Sequence, residues 1–345
     1  MAHLCAITPI NKVLQKVVRM LTRLLFPILV AVLIGCGTNS STPSGAVKVQ
    51  VQLNWFPESE FGGLYEAQQQ GLFRNTGLEV ELLKGGPSVP APQMVASGQV
   101  DFAIVSGSQL LALRSQGAKV TGIFATFQQN PRGVVVPADS KYPNLEALWK
   151  SSATVMGESG LEFIQWLNRD YGGKNLSFVP YSGSLAPFIA KKVDAMQCFA
   201  TAEPVQLTLD NVPNKVFLVA ETGYNPYVTV IAVNDDFLEK NPRLVADFTS
   251  ALRRGWESYL KSPDKTNQHM HKLNPDMTLE VLSKSSAMLP DFVESNETRQ
   301  KAIGWMTKSR WSTLEKQLVE MGQLDSEAAA KVGTPFFNPP LVDQQ

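Results

Sequence analysis

From position 47 onward, apolar and polar positions follow two alternating rhythms. The stretches 47–55, Leu78–Leu83, 100–105, 119–125 and 133–136 are short, rich in β-branched residues and mostly bounded by Gly or Pro, which predicts strands. Between them, 64–73, 92–97 and 109–116 carry helix-forming residues. A second block repeats the pattern, with strand-like runs at 153–156, 176–180, 193–199 and 216–219 and an amphipathic helix at 161–171. Strand and helix in turn predict an α/β chain with largely parallel sheets. After a strand-like 228–233 the pattern becomes helical. Pro242 suits a first helical position, and Leu244, Val245, Phe248, Leu252, Trp256 and Tyr259 recur at three- and four-residue spacing on one face. Those aromatics are expected in the core. Further helical patterns lie at 279–289 and 298–324.

Two stretches echo each other. GQVDFAIVSG (98–107) and KKVDAMQCFA (191–200) both place Val-Asp before a strand that ends in small or polar residues. Two similarly built lobes would each offer such a strand end to a shared cleft. The chain is expected to cross between lobes twice, near 126–137 and 221–227, where QQNPRG and TGYNPY set a Pro among polar residues. Lobe 1 is then 47–130 with 228–345, and lobe 2 is 131–227. Two crossing strands make a hinge that closes on a ligand. A single large α/β domain is the alternative.

The first 35 residues differ in kind: they hold Lys12, Lys16, Arg19 and Arg23, no acid, and an apolar run from 24 to 34 that is short for a membrane span. This reads as a secretion signal (1–35). The run closes on Leu33-Ile34-Gly35-Cys36, which resembles the lipobox of bacterial lipoproteins and marks Cys36 for lipidation, with 36–46 as the lipidated N-terminus and polar tether. An uncleaved anchor helix is the competing reading. The whole chain of 345 residues has 31 bases and 31 acids; with the four signal bases set aside, 27 bases face 31 acids, a balance that speaks against nucleic acid. Cys5 leaves with the signal, so Cys198 is the sole thiol of the secreted body and no disulfide is expected within it.

Catalytic signatures are scarce. His269 and His271 have no further ligand spaced nearby, so no metal is expected, and P-loop, Gly-x-Ser-x-Gly and Cys-x-x-Cys patterns are missing. Binding features are plainer. In LNWFPESEFGGLYEAQQQGLF (53–73), Trp55 and Phe56 stand where a strand turns into a helix, beside Glu58 and Glu60, and Gly62 and Gly63 are expected to let backbone approach the cleft. Packing of Trp55 under the following helix is the plain alternative. Ser106, Gln128 and Ser159, in GESG at 157–160, are placed at strand ends, where open α/β sheets hold ligands; Ser159 serves a ligand or caps its own helix. Arg132, near the first crossing, is the one base expected close to the cleft.

The same 53–73 stretch, with GLEVELLKGG, QMVASGQVDFAIVSG and VDAMQCFATAEP, resembles the periplasmic solute-binding proteins of ABC importers that carry thiamine-pyrimidine precursors, and more distantly those for riboflavin, aliphatic sulfonates, taurine and nitrate. The resemblance implies a two-lobed periplasmic-binding-protein type II fold, each lobe a mixed sheet flanked by helices, joined by a two-strand hinge. It implies a non-enzymatic, lipid-anchored, monomeric binder with no cofactor, working outside the cytoplasm with an ABC permease and ATPase on a small planar, pyrimidine-like solute. Trp55 matches the cleft aromatic, Tyr65 the aromatic at the helix start, and Glu203, before Pro204, a hydrogen-bonding partner for an amino-pyrimidine edge; capping of the helix begun by Pro204 is the alternative role for Glu203. Where pyrimidine-precursor binders carry a His, this chain has Phe61. The eukaryotic pyrimidine synthases of the superfamily use pyridoxal phosphate and iron and carry a cysteine-rich iron motif, of which only Cys198-Phe199 remains. A receptor serving a sensor is a third reading.

Overall fold

The computed structural model describes residues 45–158 and 160–341. The signal, Cys36 and Ser159 lie outside them. Among the described residues, ten strands form two five-stranded sheets. The first contains β1 (Val47–Gln52), β2 (Leu78–Leu83), β3 (Phe102–Val105), β4 (Val120–Ala125) and β10 (Val230–Asn234) in the order β2-β1-β3-β10-β4. The second contains β5 (Arg132–Pro137), β6 (Thr154–Gly157), β7 (Ser177–Pro180), β8 (Ala195–Phe199) and β9 (Asn214–Leu218) in the order β7-β6-β8-β5-β9. In each sheet four strands run in one direction, and the fifth, the strand that arrives by a crossing, β10 or β5, is inserted antiparallel between two of them.

The echoed Val-Asp pairs have one structural job. Asp101 accepts the backbone N–H of Gln50 at 2.9 Å, and Asp194 accepts that of Thr154 at 2.8 Å. Each carboxylate thus pairs a strand N–H just before β1 meets β3 or β6 meets β8, where an unpaired donor would be costly. The edge strand β4, buried along its whole length, is covered by the C-terminal segment: Gly122 exchanges backbone hydrogen bonds with Pro335 and Phe337.

The chain leaves the first sheet after Ala125 and enters the second at Arg132, then returns between Thr222 and Val230. The two crossings are bonded to each other by Thr126 N–H to the Thr229 carbonyl, 2.9 Å, and Asn130 N–H to Asn225 Oδ1, 2.8 Å. Arg310, from the helix Lys308–Glu320, pins both: it donates to the carbonyls of Asn225 (2.7 Å), Pro226 (3.1 Å) and Gln128, and its guanidinium lies 4.0 Å from the Tyr227 ring centre. Burial brings its pKa down to about 10, so the charge persists at neutral pH.

The long helix Pro242–Lys261 buries Phe248, Leu252, Trp256 and Tyr259, as its periodicity predicts. It crosses the helix Gly62–Gln69, and here the paired glycines have a different role from the one expected. A side chain at Gly62 would run into the Tyr259 ring, one at Gly63 into the Trp256 indole, and one at Gly255 into the Gly63 carbonyl and Ala67. The glycines serve a close helix crossing in the core, not backbone approach to a ligand. The helical run expected over 298–324 is also interrupted. Asn296–Gln300 and Lys308–Glu320 are separate helices, and between them Gly304 takes φ +85° where a Cβ would strike the Phe124 ring.

Because the atoms facing Gly255 are backbone atoms and the Ala67 Cβ, none of which can swing aside, Gly255→Ala must push the helices apart. It is expected to lower stability by about 1–3 kcal/mol, measured by urea unfolding with an unchanged m-value. A loss below about 0.5 kcal/mol would show that the crossing is loose.

Candidate functional site

β1 stops at Gln52, and the Gln52 side-chain amide donates to the carbonyls of Leu53 (2.9 Å) and Lys84 (3.1 Å), tying the departing chain to the end of β2. The turn that follows delivers Asn54, Trp55, Glu58 and Glu60 to a cavity of about 240 Å³. The end of β3 adds Ser106 and Gln109. From the second lobe come Arg132 on β5, Glu158 after β6, Glu162 on the helix Glu162–Tyr171, Gln197, Cys198 and Phe199 on β8, and Glu203. The cavity therefore lies between the lobes, at the strand ends, where open α/β sheets hold ligands.

Trp55 is partly exposed and packs edge-on against Phe56 at 5.5 Å between ring centres. It is not sealed in the core. Glu203, opposite it on the second lobe, accepts the Phe199 N–H at 2.8 Å and the Tyr181 hydroxyl at 3.1 Å. Arg132 stands 5.4 Å from the Phe199 ring centre and makes no ion pair among the described residues. Ser108, from the first lobe, donates to Glu162 of the second at 2.8 Å, a bond that spans the cleft.

Five carboxylates with one guanidinium make the site electrostatically unbalanced. Burial, then the charges of Glu60 and Glu203, push Glu58 well above the usual carboxylate range, with the Trp55 indole partly offsetting them. Burial lifts Glu60 to about 7 in spite of Arg132 and Thr229, and it lifts Glu203 in spite of the Phe199 N–H. The Cys198 thiol is also pushed well up, first by burial and then by Glu203, which suits a packed side chain and not a nucleophile. Asn54 Oδ1 is buried without a hydrogen-bond donor among the described residues.

Of the sequence-derived candidates, the structure brings Trp55, Ser106 and Glu203 to this one cavity. The Ser106 hydroxyl accepts the Gln109 N–H within a capping box, so much of its hydrogen-bonding capacity is already used. Tyr65 and Gln128 stand elsewhere. Tyr65 is 3% exposed, in the core, with its ring edge toward His269, because the helix register turns it away from the cleft. Gln128 donates to the Ala125 and Trp305 carbonyls on the hinge's other side, facing Arg310. Phe61 is fully buried, so the residue type at that position does not touch the cavity. Sequence reasoning passed over Glu158, Glu162 and Gln197, and it noted Glu58 and Glu60 without assigning them a role. Two acids beside Trp55 in a segment leaving a strand were the available signal.

Two mixed sheets in these strand orders, joined by two crossings around a cleft, form the periplasmic-binding-protein fold. The model of the NMT1/THI5 like family matches residues 58–266, and the chain belongs to that family. It is 25% identical over 299 residues to the riboflavin-binding protein RibY of Chloroflexus aurantiacus, covering 81% of this chain and 82% of that one. To a 4-amino-5-hydroxymethyl-2-methylpyrimidine phosphate synthase of Saccharomyces cerevisiae it is 24% identical over 252 residues, 69% of this chain and 74% of the other. The periplasmic aliphatic sulphonate binding protein SsuA from Escherichia coli superposes with a TM-score of 0.67 at 10% identity, over 86% of this chain and 94% of that one, a likeness of fold.

The raised pKa of Glu60 sets a sign. The folded state keeps a proton that the unfolded chain gives up near pH 4.5, so this contribution is complete below that pH and is lost as pH rises toward about 7. The melting temperature of the ligand-free protein is expected to fall across that window, and Glu60→Gln to flatten the fall. An unchanged slope in the variant would place the titration elsewhere.

Proposed function

We propose that the protein is an extracytoplasmic solute-binding protein of an ABC importer that captures a small planar, pyrimidine-like heteroaromatic between its lobes and hands it to a permease and ATPase without chemical change. The carrying observation is that Trp55 and Glu203 come from different lobes to one cavity, so a ligand stacked on the indole and bonded to the carboxylate bridges the hinge. Stacking gives sequence-independent affinity for a flat ring, and buried acceptors select one rich in N–H donors. Lobe 1 is 47–130 with 228–345 and lobe 2 is 131–227. Residues 1–35 are the signal, Cys36 carries the lipid, and the body works as a monomer.

The charge of the cavity supports this ligand class over sulfonates and nitrate. An anion would meet Glu58, Glu60, Glu158, Glu162 and Glu203 with only Arg132 to receive it. The names of the riboflavin-binding relative and of the pyrimidine synthase both point to nitrogen heteroaromatics. The residues do not fit the cofactors of the synthase reading. No Lys lines the cavity for a Schiff base, and no group of three or more metal-ligating side chains occurs among the described residues.

A thermal-shift series with 4-amino-5-hydroxymethyl-2-methylpyrimidine tests the assignment. Wild type is expected to melt higher with the ligand, and Trp55→Ala to lose the shift while still melting cooperatively. Glu203→Gln is expected to weaken affinity about tenfold, the value of a hydrogen bond to a charged group. An undiminished shift in both variants would remove the cavity from the function.

A further inference from the structure

A second cavity of about 440 Å³ adjoins the first, and Trp55, Glu58, Ala202 and Glu203 line both. Glu203 is the dividing wall: one oxygen takes the N–H of Phe199, which lines the first chamber, and the other takes the hydroxyl of Tyr181, which lines the second. The far side is the 274–278 loop, held to the Trp55 turn by Asn274 Nδ2 donating to the Pro57 carbonyl at 3.0 Å. The second chamber thus belongs to the same cleft and is shaped by the same turn. Trp55, Tyr181, Leu185 and Met277 give it apolar faces. Glu58, Glu203, Asp210 and Asp276 are its charged groups, with no Lys, Arg or His among its described lining residues.

We infer that the cleft takes a two-part solute: an amino-substituted planar ring in the first chamber, joined by a short link to a second group that carries positive charge in the second. The inference rests on the function proposed above and adds the ligand's length and charge. The first chamber alone is smaller than the roughly 300–1,000 Å³ that ligand pockets usually offer, whereas the two joined lie well inside that range. Carboxylates held at the dividing wall repel each other and are poorly solvated, and a cation between them relieves both costs. The indole and phenol faces add cation–π attraction. A phosphate in either chamber would worsen the crowding, so the solute is taken unphosphorylated.

Titration calorimetry on the purified protein with three probes tests this. They are 4-amino-5-hydroxymethyl-2-methylpyrimidine as the single ring, its phosphate ester as the anion, and thiamine as an aminopyrimidine linked through one methylene to a cationic ring. Thiamine is expected to bind at least tenfold tighter than the single ring, and the ester at least tenfold weaker. In the double variant Asp210→Asn, Asp276→Asn, the advantage of thiamine should shrink at least threefold while single-ring affinity stays within twofold, which also reports that the variant is folded. Equal affinity for single ring and thiamine, an undiminished advantage in the double variant, or an ester that binds as well as the alcohol overturns the inference and leaves the one-ring reading standing. Failure of all three probes on wild type overturns both.

Discussion

The site depends on carboxylates forced together in poor solvent. Glu58 and Glu60 arrive on the turn that leaves β1, while Glu203 arrives on the helix that follows β8 in the other lobe. Burial raises the pKa of all three, with added repulsion on Glu58 from Glu60 and Glu203, on Glu60 from Glu203 and on Glu203 from Glu158, and Arg132 is the only base among the described residues lining their cavity. A native protein tolerates such crowding where function requires it. What relieves it is a partner that donates hydrogen bonds or carries positive charge, so the electrostatics of the walls state the chemistry of the guest more narrowly than the fold does. The fold itself also hosts a sulfonate binder, and the chain's relatives include proteins named for riboflavin binding and pyrimidine synthesis.

The scaffold separates what must stay rigid from what must move. On the first lobe the cavity residues hang from a turn whose neighbours are over-determined: Gln52 ties it to β2, Asn274 ties it to the 274–278 loop, and the glycine crossing presses the next helix onto Pro242–Lys261. Between the lobes, the two crossings are held to each other by Asn130, Asn225 and Arg310. By comparison, the bond that spans the cleft from Ser108 to Glu162, 2.8 Å, joins groups that water can compensate when they part. A hinge with firmly paired crossings and lightly tied mouths is what closure on a solute requires.

Much of this organisation was legible in the sequence because it is written in periodicity. β-Branched runs marked all ten strands to within a few residues, and the spacing of Phe248, Leu252, Trp256 and Tyr259 marked the core face of the long helix. The Val-Asp echo marked two equivalent strand starts, although the purpose of its aspartates, pairing the N–H groups of Gln50 and Thr154, emerged only with the register. Side-chain direction was the weak point. Tyr65 lies ten residues beyond Trp55, and one turn of helix decides whether an aromatic meets the cleft or His269. Gln128 sits at a strand end but its amide is consumed by the Ala125 and Trp305 carbonyls, the latter contributed from 177 residues away. Glu158 and Glu162 reach the cavity from positions that no local pattern marks.

The central claim is that one guest touches both lobes at once. Hydrogen–deuterium exchange with and without 4-amino-5-hydroxymethyl-2-methylpyrimidine tests it most directly. Slowed exchange is expected in two separate stretches, 53–60 on the first lobe and 199–203 on the second, at the same ligand concentration. Protection confined to one lobe, or to residues outside the cleft, would contradict it.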